Sequence, residues 1–202
     1  MEKEVYFDCG NIRLEGLFAH CGGSVGAVIS HPHPLMGGDM GNSIVEILAE
    51  TLFAAGISTL RFNFRGVGQS TGSFDDGRGE QDDLLAAIAF MEEQGVQEIL
   101  PAGYSFGAWV TAGILNRKKL LPALLVSPPV ALFGFDFPAY QGRVALIVCG
   151  DHDPYSPAEQ IKSVAAELAC RLDIIPDTDH FFRSQEETLA ASIDNFALQL
   201  RS

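Results

Sequence analysis

Apolar residues recur along this chain in two rhythms that take turns from start to end. One is a short run suited to a strand, the other a helical spacing that buries a single face. Glu4–Cys9 and Ile12–His20 read as an antiparallel pair, with Asn11 at the turn. Val25–Ser30 is a continuous apolar run, suited to a strand buried on both faces. Asn42–Ala55 reads as a helix. Ser43 and Glu46 form a capping box, Ile44, Ile47, Leu48 and Leu52 keep helical spacing, and Gly56 ends it. Ile57–Phe64 returns as a strand. Asp82–Gln94 is a helix with Leu84, Leu85, Ile88 and Met91 on one face.

Glu98–Gly103 is the next strand, and Phe106–Asn116 a helix apolar nearly all round, which predicts deep packing. Arg117, Lys118 and Lys119 complement its negative end. Leu121–Ser127, Val144–Cys149 and Arg171–Pro176 are further strands. Between the last two, Ser156-Pro157-Ala158-Glu159 predicts a helix start with a capping box and a proline in its first turn. Ser184 and Glu187 start the last helix, which carries Leu189, Ile193, Phe196 and Leu200. This alternation predicts one α/β domain over residues 1–202, a mostly parallel sheet with helices on both faces. Pro128–Tyr140, rich in Pro, Phe and Gly, is the one irregular apolar stretch. It reads as a surface loop rather than a flap over a site.

Composition narrows the partners. The formal net charge is -13, which argues against nucleic acid or an anionic membrane, since phosphate binding needs clustered Lys and Arg. The charged Met1-Glu2-Lys3-Glu4 start lacks an apolar signal core, and no apolar run is long enough to span a bilayer. Cys9, Cys21, Cys149 and Cys170 follow no metal or redox spacing and read as small apolar residues in a reducing cytoplasm.

Candidate chemistry centres on Gly103-Tyr104-Ser105-Phe106-Gly107. Gly-x-Ser-x-Gly occurs three times, but the matches at Ser24 and Ser70 lead into a strand and a loop. Only Ser105 has a strand before it and a helix after it. That context lifts a serine hydroxyl above a sheet edge and aims helix N–H groups at an anion forming there, which suits attack on a carbonyl carbon. A neutral hydroxyl needs a base, and the base an orienting carboxylate. In an open parallel sheet such groups follow strand ends. His180 follows Arg171–Pro176 and is the candidate base. Asp151 and Asp153 both follow Val144–Cys149. Asp153, two positions further along the turn, can curl back toward a histidine from the next loop, and Asp151 then caps local N–H groups. Asp177 and Asp179 read as turn residues.

The backbone N–H of Phe106 is the first candidate oxyanion donor. The second should come from His31-Pro32-His33-Pro34-Leu35. The prolines have no N–H, which leaves His33 or Leu35, and we take Leu35. His31-x-His33 also invites a metal, but no third ligand has recognisable spacing, so no metal is expected.

With these residues in hand, the chain resembles the α/β-hydrolase superfamily over nearly its full length, and more narrowly the small bacterial members without a cap domain. The matching segments are His31-Pro32-His33-Pro34 with Gly37-Gly38, Arg65-Gly66-Val67-Gly68-Gln69-Ser70, Gly79-Glu80 with Asp83, Gly103–Gly107, Gly150–Asp153 and Asp179-His180. The resemblance implies a cap-less α/β-hydrolase fold of about eight strands. It further implies a Ser105–His180–Asp153 triad, an acyl-enzyme and no cofactor. Arg65 then belongs to a structural turn. Here His31-Pro32 replaces the family's usual His-Gly. The expected activity is hydrolysis of small esters or thioesters at an open site. A lyase or cofactor-free peroxidase could share the scaffold. The alternative of a different class is a catalytically idle binding scaffold.

Overall fold

The structure is a computed structural model and describes residues 1–200. Its strands are β1 (Lys3–Cys9), β2 (Ile12–Ala19), β3 (Val25–Ser30), β4 (Ser58–Phe62), β5 (Glu98–Tyr104), β6 (Ala123–Val126), β7 (Val144–Gly150) and β8 (Arg171–Ile175). They form one sheet in the order β1-β2-β4-β3-β5-β6-β7-β8. β1 pairs antiparallel with β2, and β2 antiparallel with β4, while every other pair is parallel. The helices are α1 (Ser43–Ala54), α2 (Arg78–Glu93), α3 (Phe106–Ile114), α4 (Ala158–Leu168) and α5 (Glu186–Gln199). Among the described residues no helix is long and apolar enough to cross a membrane.

Both faces of the central strands are buried, which explains their unbroken apolar runs. Ala27 and Ile29 of β3, Leu100 and Ala102 of β5, and Leu146 and Val148 of β7 pack with α1 and α5. Val28 and Ile99 face the other way, toward α2 and α3. Leu125, Ile147 and Cys149 join α4 on that same side. The parallel arrangement brings the C-terminal ends of β3, β5, β6, β7 and β8 to one edge, where the loops carrying the candidate residues emerge.

The element types match the sequence pattern, and the differences lie at the caps. α1 is capped by Asn42, whose Oδ1 accepts from Ile44 N at 3.0 Å, so Ser43 is not the cap. Glu46 instead meets Arg61 at 2.9 Å. α2 starts four residues before Asp82: Gly77 caps it at φ 84°, and Glu80 accepts from Gly77 N at 2.7 Å and Asp75 N at 2.9 Å. Ser156 does not cap α4 but donates to the Pro128 carbonyl at 2.8 Å, and Pro157 takes the cap position. α5 begins at Glu186 behind Gln185, so Ser184 lies outside it. Cys21 is exposed rather than packed. Arg65 clasps the buried Asp83 at 2.7 Å and holds the turn after β4 against α2.

Candidate active site

Ser105 lies between the last residue of β5 and the first of α3, with φ 56° and ψ -122°. That backbone region is costly for a residue with a side chain. Two glycines make the turn possible. A Cβ on Gly103 would collide with the Gly107 carbonyl, and one on Gly107 with the Ser30 carbonyl. Bare backbone at both positions lets β5 turn sharply into α3 beside β3. Ser105 N donates to Val126 O at 2.9 Å, and Ser105 O accepts from Ala108 N at 2.9 Å, so the strained residue is held from both sides.

His180 lies in the loop between β8 and α5. Its Nε2 is 2.9 Å from Ser105 Oγ, and its Nδ1 is 2.7 Å from Asp153 Oδ2. The Asp153 side chain is fully buried. Its second oxygen, Oδ1, accepts from Tyr155 N at 2.9 Å and Ser156 N at 3.0 Å. Burial pushes the Asp153 carboxyl toward the protonated form. The bond to His180 and the Tyr155 N–H outweigh that, and the pKa falls below its ordinary value. An ionised carboxylate only accepts, so His180 carries its proton on Nδ1 and turns the Nε2 lone pair to Ser105.

Asp151 sits elsewhere. It is exposed, and its Oδ1 accepts from Thr178 N at 3.2 Å. With His152 N donating to Thr178 O at 3.0 Å, it staples the loop after β7 to the loop that carries His180. Gly150 allows that approach, because a Cβ there would strike the Thr178 carbonyl. Asp179 caps its own turn, accepting from Phe181 N at 2.9 Å.

Phe106 N–H is at the first position of α3, where no helical carbonyl can take it. Leu35 does not supply the second free donor, which corrects the expectation from sequence. Its N–H is committed to His33 Nδ1 at 3.2 Å, where His33 caps the 3-10 turn Pro34–Met36, and its side chain is 73% exposed. His33 N–H, by contrast, has no acceptor among the described residues. The His33 ring lies 4.7 Å from that of Phe106. Burial lowers the pKa of His33, partly offset by Glu80 and Asp76, which keeps Nδ1 available as an acceptor.

His31 is structural. Its Nδ1–H donates to Pro32 O at 2.6 Å and its Nε2 accepts from Phe64 N at 3.1 Å, so neither nitrogen is open to a metal. Burial drives its pKa down to about 4. The neutral ring ties the loop after β3 to the segment after β4.

Ser105, Phe106, His33 and His180 line one cavity of about 510 Å³. Pro129, Leu132 and Phe133 line it too, so the irregular Pro128–Tyr140 stretch borders the site rather than lying on plain surface. Two contributors escaped the sequence. Tyr104 donates its hydroxyl to His180 O at 2.9 Å, and Tyr155 sets its ring edge-on to His180 at 4.9 Å. Tyr104 precedes Ser105 and Tyr155 lies two residues after Asp153, but His180, the partner of both, is remote in sequence.

No family model matches the chain. An uncharacterized protein of Rickettsia prowazekii (strain Madrid E) is 33% identical over 98% of this chain and 90% of its own length. A solved α/β serine hydrolase homologue from Coxiella burnetii is 34% identical, with a TM-score of 0.88 over 96% of both chains. A solved α/β serine hydrolase without lid from Xanthomonas campestris is 29% identical, with a TM-score of 0.85 over 96% of this chain and 92% of that one.

Proposed function

The chain belongs to the α/β-hydrolase family, and on that premise we propose that it hydrolyses small carboxylic esters or thioesters through an acyl-enzyme on Ser105. The observation that carries this reading is the unbroken relay Ser105 Oγ–His180–Asp153, with steps of 2.9 and 2.7 Å. His180 Nε2 takes the hydroxyl proton as Ser105 Oγ attacks the carbonyl carbon, and Asp153 stabilises the imidazolium that results. The tetrahedral oxyanion rests on the N–H groups of Phe106 and His33, which have no acceptor among the described residues. The imidazolium then gives its proton to the leaving alcohol or thiol. A water, deprotonated by His180, attacks the acyl-enzyme and releases the acid and free Ser105.

The sheet carries no lid, and the cavity of about 510 Å³ suits short or compact groups over long lipid chains. A panel of p-nitrophenyl esters and acyl thioesters of graded length tests the reading. Short esters turn over, and Ser105→Ala lowers turnover by about 1,000-fold or more. Activity confined to long-chain triglycerides, or full activity in Ser105→Ala, contradicts it.

A further inference from the structure

We infer that this cavity selects an uncharged ester bearing a flat aromatic ring; the inference rests on the hydrolytic reading of the same site. None of the side chains lining the cavity is Lys, Arg, Asp or Glu. A charged group entering it would lose water without gaining an ionic partner. The chain's net charge of -13 gives an anionic substrate no long-range attraction either. Arg183 stands 4.9 Å over the Phe181 ring, but it faces Asp179 at 3.8 Å and is not part of the lining. These facts disfavour thioesters of polyanionic carriers.

Two separate parts of the chain bring phenylalanine rings to the cavity, Phe106 with Phe133 and, beside His180, Phe181. The Phe106 and Phe133 rings meet at 5.9 Å and 64°, and because Phe106 is buried, Phe133 is the ring of this pair that a ligand can reach. Phe133 is backed by Trp109, stacked at 4.7 Å and 27°. Trp109 Nε1–H donates to Gly134 O at 2.9 Å, which anchors the backbone next to Phe133. Phe133 is therefore braced before any ligand arrives. Phe181 stands edge-on to His180 at 5.5 Å and 90°, and it remains 48% exposed. A flat ring bound against Phe133 or Phe181 can adopt the offset or T-shaped geometries that aromatic pairs favour. A puckered ring of the same size buries similar area without those contacts.

Two matched pairs test this. Benzyl acetate is compared with cyclohexylmethyl acetate, and methyl phenylacetate with methyl cyclohexylacetate; because phenyl makes its ester the more reactive, each kcat/KM is divided by the rate constant for hydroxide hydrolysis of the same ester. In at least one pair, this normalised kcat/KM for the aryl ester exceeds that of its twin by about fivefold, the worth of a good ring–ring contact. 4-Carboxybenzyl acetate falls about 100-fold below benzyl acetate, because its carboxylate finds no partner. Phe133→Leu pulls the aryl-to-cyclohexyl ratio toward one. Binding of the same intact esters to Ser105→Ala gives a readout that needs no turnover. An aryl preference there without any turnover in the wild type removes the hydrolytic reading and keeps this one. Equal or better use and binding of both cyclohexyl twins, or parity for the carboxylated ester, overturns the inference.

Discussion

The Tyr104 hydroxyl donates a 2.9 Å hydrogen bond to the backbone carbonyl of His180 and so ties the residue before Ser105 to the proposed base. The two rings also lie 5.4 Å apart. Burial pushes the Tyr104 pKa upward, so its proton stays in place to donate. Tyr104→Phe leaves a buried carbonyl without its donor, at a cost of about 1–3 kcal/mol. The expected result is a fall in kcat of about tenfold with KM little changed. Steady-state kinetics on a short ester measure it, and an unchanged kcat contradicts the positioning role.

Asp153 and Asp151 are two positions apart and do different work. Asp153→Asn removes the carboxylate that fixes the Nδ1–H tautomer of His180, and kcat falls by about 1,000-fold or more. Asp151→Asn keeps an oxygen to accept from Thr178 N, and kcat changes by less than about threefold. Parallel assays rank the two, and the reverse order means that the acid is Asp151.

His31 predicts an acid-sensitive fold. Its pKa is lowered from 6.5 to about 4 by burial. Below pH 6.5 the unfolded chain binds a proton that the folded chain refuses until about pH 4. Stability therefore falls as the pH drops through that window, by about 3 kcal/mol in all. Asp153 adds to the loss only at lower pH. Its folded pKa lies below the ordinary 3.8, so its contribution is present above 3.8 and disappears as acid protonates it. Urea unfolding at graded pH measures both. His31→Gln flattens the slope between pH 6.5 and 4, and an unchanged slope contradicts the assignment.

The backbone at Ser105, φ 56° and ψ -122°, suits glycine better than any residue with a Cβ. Ser105→Gly is expected to be more stable than Ser105→Ala by about 1 kcal/mol, although both lose turnover. Thermal melts of the two variants decide it. A higher melting temperature for the alanine variant shows that the turn stores no strain.

The sheet, its helices and the strand-end loops that carry Ser105, His180 and Asp153 were legible because they follow local rules of apolar runs and helical spacing, while the choice of Asp153 over Asp151 leaned on the resemblance as well. Several misplaced features depend on contacts across the fold, and the rest on which way one side chain turns. Ser43 and Asn42 are both cap residues in sequence, and Glu46 completes a box on paper, but Arg61 claims Glu46 at 2.9 Å. The sequence starts this helix at Asp82, yet α2 begins at Arg78, and Gly79 in its first turn leaves room for the Arg65 guanidinium where a Cβ would lie. Leu35 looked like a donor until the His33 ring closed on its N–H at 3.2 Å. No local pattern encodes that ring's direction. Nor does any pattern reveal that Trp109 braces Phe133, since the two are joined only when the loop after β6 folds over α3.

The central claim is that Ser105 is an activated nucleophile. It is tested most directly by treating the folded protein with a fluorophosphonate probe and mapping the adduct by peptide mass spectrometry. The expected result is one adduct, on Ser105, absent after heat denaturation and strongly reduced in His180→Ala. A folded protein that takes up no probe, or takes it up on another residue, contradicts the account.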